Sequence, residues 1–210
     1  TYARYGVAFE RGDGAKLYDY EGKEYIDCAT GIGVNIFGIC DPVWKDAVID
    51  QINRIQHVSN LYYSLPQVEL ARALCERTGA KKVFFANSGA EANECAIKAA
   101  RKYGNRRYGR NEIITLKNSF HGRTMATITA TGQDAFHKDF QPFLLCFKYA
   151  EPNMSGVLSC YTEKTCAVMI ECVQGESGVN VLDRQFVTDL EKFCKSRDIL
   201  LICDEVQSGN

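Results

Sequence analysis

The sequence has little excess charge of either sign and no apolar run that approaches a membrane span. Lysine and arginine total 25, aspartate and glutamate total 26, and the net charge is −1 at pH 7. A generic nucleic-acid or membrane-surface binder would carry a clear positive excess. A transmembrane helix would need about 20 consecutive apolar residues. We therefore expect a soluble globular protein whose partners include neither nucleic acid nor membrane.

Regular cysteine spacing is also missing, although the chain has ten cysteines. No CxxC pair occurs, and several cysteines lie inside apolar runs. Cys160, Cys166 and Cys172 recur every six residues, which fits no common zinc site. We interpret the cysteines as reduced, small hydrophobic residues, so we predict a cytoplasmic protein without a structural metal.

From residue 81 onward, short apolar segments alternate with helical patterns. The segments that predict strands are KKVFFA (81–86), NEIITL (111–116), CAVMIEC (166–172) and ILLICD (199–204). The segments that predict helices are residues 87–104, 121–132 and 185–197. This alternation predicts an α/β fold with a mostly parallel sheet and helices on both faces.

The first part of the chain has a different pattern. Alternating residues around Glu21-Gly22 predict a hairpin that pairs 17–20 with 24–27. Asp41-Pro42 predicts a capped helix start, and a second helix is expected from Pro66.

Residues 87–94 (NSGAEANE) connect a predicted strand to a predicted helix. The loop contains neither GxGxxG nor GxxxxGK[ST], which excludes the dinucleotide fingerprint and the P-loop. A helix start still directs unpaired N–H groups at a bound anion, and Gly89 allows a close approach. The simpler interpretation of this segment alone is an ordinary capped helix, with Asn87 or Ser88 as the N-cap.

Residues 119–124 (SFHGRT) follow the predicted strand 111–116. Open α/β sheets bind ligands at the carboxyl ends of their strands. Phe120 could stack on a flat ring, and Arg123 could bind a carboxylate with two parallel hydrogen bonds. The alternative places Phe120 in the core, His121 as a satisfied polar residue and Arg123 on the surface.

Two acidic motifs follow the last two predicted strands. Glu171 and Glu176 lie in ECVQGESG, where they could hold a cation or transfer protons, or could be solvated acids of a turn. Asp204 follows five apolar residues and is expected to be buried with a cationic partner. That partner could be a protonated ring nitrogen or a residue of a structural ion pair.

Four motifs, in their order along the chain, resemble those of the class III pyridoxal-phosphate-dependent aminotransferases of the ornithine and acetylornithine type. The motifs are NSGAEANE–AIKAAR, FHGRT, E–VQGESG and ICDEVQSG. The resemblance extends from about Gly12 to the last residue and includes HVSNLYYSLPQVELARAL at 57–74. It implies a fold-type I large domain. We expect residues 1–65 to form an N-terminal segment and residues 66–210 an incomplete cofactor-binding domain.

The resemblance also assigns roles to residues of this sequence. Six residues would bind pyridoxal 5′-phosphate: Ser88, Gly89 and Ala90 at the phosphate, Phe120 stacked on the ring, Asp204 at the ring nitrogen and Gln207 near the phenolic oxygen. Arg123 would bind the substrate carboxylate, with Asn60 and Tyr62 on the substrate side. Glu176 would pair with an arginine from later in the chain.

The resemblance implies that an amino group moves from the δ-carbon of N-acetylornithine to 2-oxoglutarate, in a homodimer. Ornithine, succinylornithine and 4-aminobutyrate aminotransferases are alternatives, as is a non-catalytic homologue that keeps the fold. The family's Schiff-base lysine would follow the DEVQ motif, yet the last lysine here is Lys195. We therefore expect these 210 residues alone to be inactive. Cys172 stands where the family commonly has proline, and GICDP (38–42) replaces a histidine-bearing loop.

Overall fold

The structure is a computed structural model that describes residues 3–209. The chain folds as two compact units, Thr1–Val83 (unit 1) and Phe84–Asn210 (unit 2). The predicted boundary between residues 65 and 66 falls inside unit 1, at the start of a helix. The assignment of 1–65 and 66–210 as domains stays a prediction.

Unit 1 contains a three-stranded antiparallel sheet in the order β1-β2-β3. The strands are β1 (Phe9–Asp13), β2 (Lys16–Asp19) and β3 (Glu24–Ile26). Leu17 lies opposite Tyr25, which confirms the predicted hairpin, whereas β1 was not predicted. The Asp19 carboxylate closes the turn by accepting the N–H groups of Glu21 and Lys23 at 3.0 and 2.9 Å.

The helices of unit 1 are α1 (Thr30–Gly33), α2 (Pro42–Arg54) and α3 (Leu65–Thr78). Asp41 caps α2 by accepting the Trp44 N–H at 2.8 Å, and proline follows at the first helical position. This confirms the predicted start of α2. Gly79 ends α3 in the left-handed conformation, which glycine adopts without strain.

Unit 2 is built on a four-stranded parallel sheet in the order β5-β4-β6-β9. Its strands are β4 (Glu112–Leu116), β5 (Phe147–Ala150), β6 (Thr165–Ile170) and β9 (Leu200–Cys203). A separate two-stranded ladder pairs β7 (Val173–Gln174) with β8 (Asn180–Val181). Parallel pairing carries the carboxyl ends of β4, β6 and β9 to one edge of the sheet.

Helices cover both faces of this sheet, which confirms the predicted fold class. They are α4 (Gly89–Tyr108), α5 (Met125–Ala130), α6 (Met154–Cys160) and α7 (Arg184–Arg197), with a 3₁₀ turn at Asp134–Phe136. Alternate strand residues face opposite sides. Ile114 and Val168 pack with Leu190 in one buried cluster, and neighbouring strand residues pack with α4 and α5 in another.

The strand predicted at 81–86 is wrong, because these residues form no β ladder. Phe84 is 66% exposed and Phe85 37% exposed. An apolar run becomes a strand only when a neighbour pairs its N–H and C=O groups, and none of the strands within residues 3–209 does so. The helix predicted at 121–132 is shorter than expected, since Thr124 caps it and Gly122 has φ 127°.

None of the helices formed by residues 3–209 combines the length and apolar character that a bilayer span requires.

Candidate active site

Two acidic residues lie side by side at the carboxyl edge of the parallel sheet. Glu171 follows β6 and Asp204 follows β9, and the register pairs Ile170 with Cys203. The Asp204 N–H donates to the Ile170 carbonyl at 2.7 Å, which extends the ladder by one step. Both acids are buried, at 6% and 7% exposure. The sheet therefore presents two adjacent carboxyl groups where parallel sheets bind ligands.

Asp204 is surrounded by hydrogen-bond donors. Its Oδ2 accepts from His121 Nδ1 and from Asn93 Nδ2, both at 2.8 Å. Its Oδ1 accepts the Val206 N–H at 3.1 Å. Burial alone would raise the pKa of Asp204, but the hydrogen bond and charge of His121, with the Val206 and Asn93 donors, lower it. Asp204 is therefore an ionised carboxylate at neutral pH.

His121 contacts Asp204, and the His121 side chain is fully buried. Because a carboxylate only accepts hydrogen bonds, the short contact places the ring proton on Nδ1. His121 Nε2 is buried and has no hydrogen-bond partner among residues 3–209. The Asn93 amide also donates to the His121 carbonyl at 2.9 Å, so one amide joins both residues. Sequence reasoning missed Asn93, although its position one turn after Gly89 places it at the same helix end.

The start of α4 lies against the end of β9. Ser88 is the N-cap, and its hydroxyl accepts the Glu91 N–H at 3.2 Å. A Cβ added at Gly89 would lie 2.6 Å from Val206 Cγ1, so only glycine permits this approach. The first N–H groups of a helix have no partner within it and favour an anion. Asp204 and the N-terminal end of α4 are thus neighbours.

The loop that carries Phe120 joins the same place. The Phe120 N–H donates to Glu171 Oε2 at 2.9 Å. The Phe120 ring contacts the Phe136 ring edge-on, with centroids 5.2 Å apart. Arg123 is exposed, and its guanidinium lies 5.5 Å from the Phe120 ring centroid. A Cβ at Gly122 would lie 2.9 Å from the Cβ of Ala90, which shows how closely the loop approaches α4.

The turn at 174–176 contacts residues at the same edge of the sheet. A Cβ at Gly175 would overlap Gln207 Oε1, so Gln207 packs directly on this turn. Glu176 Oε2 accepts a hydrogen bond from Gln133 Nε2 at 2.8 Å. The same amide donates to the Ser119 carbonyl at 3.2 Å. Gln133 therefore links Glu176 to the loop that follows β4, a role that sequence reasoning missed because Gln133 lies outside the four motifs.

The structure brings together the predicted site residues of unit 2. They are Ser88, Gly89, Ala90, Phe120, Arg123, Glu176, Asp204 and Gln207. Their individual roles stay predictions. Asn60 and Tyr62 belong to unit 1, where both are exposed and the Tyr62 N–H closes a turn onto the Ser59 carbonyl at 2.9 Å. Their predicted part in substrate binding stays a prediction as well.

The polar groups and the aromatic ring of this site fit a phosphate-bearing, protonated heteroaromatic ring. A carboxylate oxygen can accept two hydrogen bonds, and Oδ1 of Asp204 receives one from the described residues. It can therefore accept a ring N–H. The helix start favours a phosphate, and the Phe120 ring offers a flat apolar surface nearby. These three features lie within one cluster of contacting residues.

Comparison with known proteins indicates the family to which these features belong. The model of the class-III aminotransferase family matches residues 2–210. Acetylornithine aminotransferase of Haemophilus ducreyi is 47% identical over 213 residues, which cover 100% of this chain and 54% of that protein. The chain thus spans about half the length of the curated relatives it matches.

Solved structures also resemble the fold. N-acetylornithine aminotransferase from Stenotrophomonas maltophilia superposes with a TM-score of 0.82 at 35% identity, over 98% of this chain and 52% of that one. Ornithine aminotransferase from Toxoplasma gondii, described with partial occupancy of PLP at its active site, gives 0.91 at 27% identity, over 98% and 50%.

Proposed function

The chain belongs to the class III aminotransferase family, and on that premise we propose that the full-length protein is a pyridoxal-phosphate-dependent aminotransferase. One observation carries the proposal. Asn93, in the first turns of α4, binds the buried carboxylate of Asp204, while Gly89 contacts Val206. The Asp204 carboxylate, which could pair with a ring nitrogen, therefore lies next to the start of α4, which could bind a phosphate.

When bound, the cofactor supplies a protonated ring that accepts the electron pair released as the substrate loses a proton from its amino-bearing carbon. Asp204 would hold the proton on the ring nitrogen, because an ionised carboxylate stabilises the cationic form. At about 4 Å and an effective dielectric near 20, such a pair gains about 4 kcal/mol before desolvation. His121 and Asn93 would keep the carboxylate oriented toward the ring.

The remaining residues would bind and orient. Backbone N–H groups at Gly89 and Ala90, with the Ser88 hydroxyl, would hold the phosphate. Phe120 would stack on the ring, and Gln207 would donate to its phenolic oxygen. Arg123 would bind the substrate carboxylate, since guanidinium and carboxylate match in two parallel hydrogen bonds. Glu176, held by Gln133, would be the partner of an arginine from another part of the protein.

We propose N-acetylornithine as the amino donor and 2-oxoglutarate as the acceptor. The support is the 47% identity to a relative named acetylornithine aminotransferase. The test is to compare kcat/KM of the full-length protein on N-acetylornithine, ornithine, succinylornithine and 4-aminobutyrate with 2-oxoglutarate. We expect the highest value on N-acetylornithine. A strong preference for ornithine would reject this donor but keep the enzyme class.

A homodimer in the cytoplasm is also part of the proposal. Unit 1 exposes large apolar side chains, among them Trp44 at 57%, Ile52 at 59% and Leu61 at 85%. Apolar surface of this kind is typical of interfaces. All ten cysteines are free thiols, which suits a reducing compartment. Light scattering on the full-length protein should give twice the monomer mass, and a monomer would reject the dimer.

The inactivity of these 210 residues alone stays a prediction. Incubating the 210-residue chain with pyridoxal phosphate, N-acetylornithine and 2-oxoglutarate should give no glutamate, and measurable turnover would contradict it.

A further inference from the structure

Glu171 is the buried acid at the sheet edge for which the proposed chemistry has no use. It is 6% exposed and follows β6 immediately. Its Oε2 accepts the backbone N–H of Phe120 at 2.9 Å. A buried carboxyl group needs a partner, and here that partner is the main chain of the residue proposed to stack on the cofactor.

Glu171 also faces two other acids. Asp204 stands at the equivalent position on the neighbouring strand, and Glu176 follows in the next turn. Burial raises the pKa of Glu171 to about 7, the Phe120 N–H opposes this, and the charges of Asp204 and Glu176 add to the rise. Asp204 is paired with His121, and Glu176 is hydrogen bonded to Gln133.

Two adjacent carboxyl groups do not both ionise easily, and the donors decide which one holds the proton. Asp204 receives hydrogen bonds from His121, Asn93 and Val206, whereas the Glu171 carboxyl group accepts the Phe120 N–H. The anionic form is therefore better stabilised at Asp204. A protonated carboxyl can still accept the Phe120 N–H through its carbonyl oxygen.

We propose that Glu171 is a positioning residue that, in its protonated form, fixes the main chain of Phe120 beside Asp204. Its effect on the cofactor rests on the proposed function, but its contact with Phe120 does not. The neutral carboxyl leaves Asp204 as the charged neighbour of the ring nitrogen and fixes where the Phe120 ring can lie. When Glu171 ionises, a second negative charge appears beside Asp204.

The test compares two substitutions in the full-length protein. Glu171→Gln keeps an oxygen acceptor and nearly the same size but cannot ionise. Glu171→Leu keeps bulk but removes the acceptor. Glu163→Gln, at an exposed acid outside the site, is the matched control. Thermal unfolding of each variant shows whether the fold is retained.

The first measurement is hydrogen exchange of the Phe120 amide in the apoprotein. Loss of one hydrogen bond of typical net free energy should speed this exchange about tenfold in Glu171→Leu. Glu171→Gln and Glu163→Gln should stay within about twofold of the original protein. Unchanged exchange in a folded Glu171→Leu protein would overturn the proposal.

The second measurement is a pH titration by ¹³C NMR with labelled glutamate carboxyl groups. The signal that disappears in Glu171→Gln should titrate near pH 7. A Glu171 midpoint near 4.5 would overturn the protonated form, whether or not Glu171→Leu folds.

The third measurement is the affinity for pyridoxal phosphate and the circular dichroism of the bound cofactor. Glu171→Leu should bind about tenfold more weakly with an altered spectrum, and Glu171→Gln should resemble the original protein. Equal affinity and spectra in a folded Glu171→Leu protein would overturn the link to the cofactor. If the unsubstituted protein binds no cofactor while the exchange and titration results hold, the proposed function fails and the positioning role stands.

Discussion

Units 1 and 2 contain helices of nearly equal length that differ in what they bury. Helix α2 in unit 1 has 13 residues and buries none of them. Helix α7 in unit 2 has 14 residues and buries Phe186, Leu190 and Cys194. All the buried apolar residues of the described chain lie in unit 2, and Asp19 is the one buried residue described in unit 1. Helical period thus predicts a helix but not the surface that it packs on.

This difference also separates the two groups of predicted site residues. Asp204, Phe120 and Glu171 are held by hydrogen bonds that follow from a packed parallel sheet. Asn60 and Tyr62 lie on an exposed turn of unit 1. We conclude that unit 2 can preorganise its part of a site, since buried donors and acceptors have fixed partners. Matched substitutions in the two units test this contrast.

The largest effect is expected from Asp204→Ala in unit 2. Loss of the carboxylate would remove its proposed pairing with the ring nitrogen, which gains about 4 kcal/mol before desolvation, so kcat of the full-length protein should fall by up to about 1,000-fold. Tyr62→Phe in unit 1 is the comparison, and it should cost less than about tenfold, the worth of one hydrogen bond. Steady-state kinetics measure both. A similar loss in the two variants would remove the contrast between the units.

The next largest difference between the units is expected when apolar side chains are truncated. Leu190→Ala leaves a cavity in unit 2 and should lower the free energy of unfolding by about 2–5 kcal/mol. Ile52 is 59% exposed, so Ile52→Ala in the 210-residue chain should change it by less than about 0.5 kcal/mol. Urea unfolding followed by circular dichroism measures both changes.

The Ile52→Ala substitution also tests the proposed dimer interface. If a second subunit covers α2 in the full-length protein, Ile52→Ala should weaken dimerisation there while it leaves the short chain unaffected. An equally small effect in both would count against α2 as an interface.

The acids of the two units should respond to pH with opposite sign. Burial raises the folded pKa of Glu171 from 4.5 to about 7, so it binds its proton more tightly when folded. Its contribution to stability is present below pH 4.5 and is lost as the pH rises through 7, by up to about 3 kcal/mol. Glu171→Gln should therefore be more stable than the original chain at pH 8 and equal to it at pH 4.

For Asp19, burial would raise the pKa, but the Lys23 N–H, the Tyr25 hydroxyl and the Glu21 N–H lower it. Its stabilisation is therefore present above the unfolded pKa and is lost as the pH falls. Asp19→Asn should destabilise the chain at pH 7, and this destabilisation should shrink as the pH falls below 3.8, as measured by thermal unfolding. The same sign of pH dependence for both substitutions would contradict the assigned environments.

The smallest effect is expected at two helix caps. Asp183 caps α7 by accepting the Phe186 N–H at 2.8 Å, and Asp41 caps α2 with the same geometry at 2.8 Å. Each cap is worth about 1 kcal/mol locally. Because α7 packs on the sheet and α2 on no buried cluster of the described residues, Asp183→Ala should lower global stability and Asp41→Ala should only fray α2. Hydrogen exchange resolved by residue distinguishes the two results.

Sequence patterns predicted the parts of the fold that depend on local signals. The Asp41-Pro42 cap, the hairpin around Glu21-Gly22 and the strands that precede Glu171 and Asp204 were all found. The first of these strands ends at Ile170 and not at the predicted residue 172. The strand at 81–86 failed, because strand formation depends on a neighbour and not on the run itself.

The site was predictable where a motif marks a strand end, and not where partners come from distant residues. Asp204 was expected to be buried with a cationic partner, and the structure identifies His121, 83 residues earlier, as its neighbour. The bond between Phe120 and Glu171 spans 51 residues, and that between Asn93 and Asp204 spans 111. No local pattern predicts which donor meets which acceptor across such separations.

The most direct test of the central claim is the ¹⁵N NMR spectrum of ring-labelled pyridoxal phosphate bound to the full-length protein. We predict a protonated pyridine nitrogen at neutral pH in the original protein and an unprotonated one in Asp204→Asn. A ring nitrogen with the same protonation state in both proteins would contradict the claim that Asp204 holds its proton.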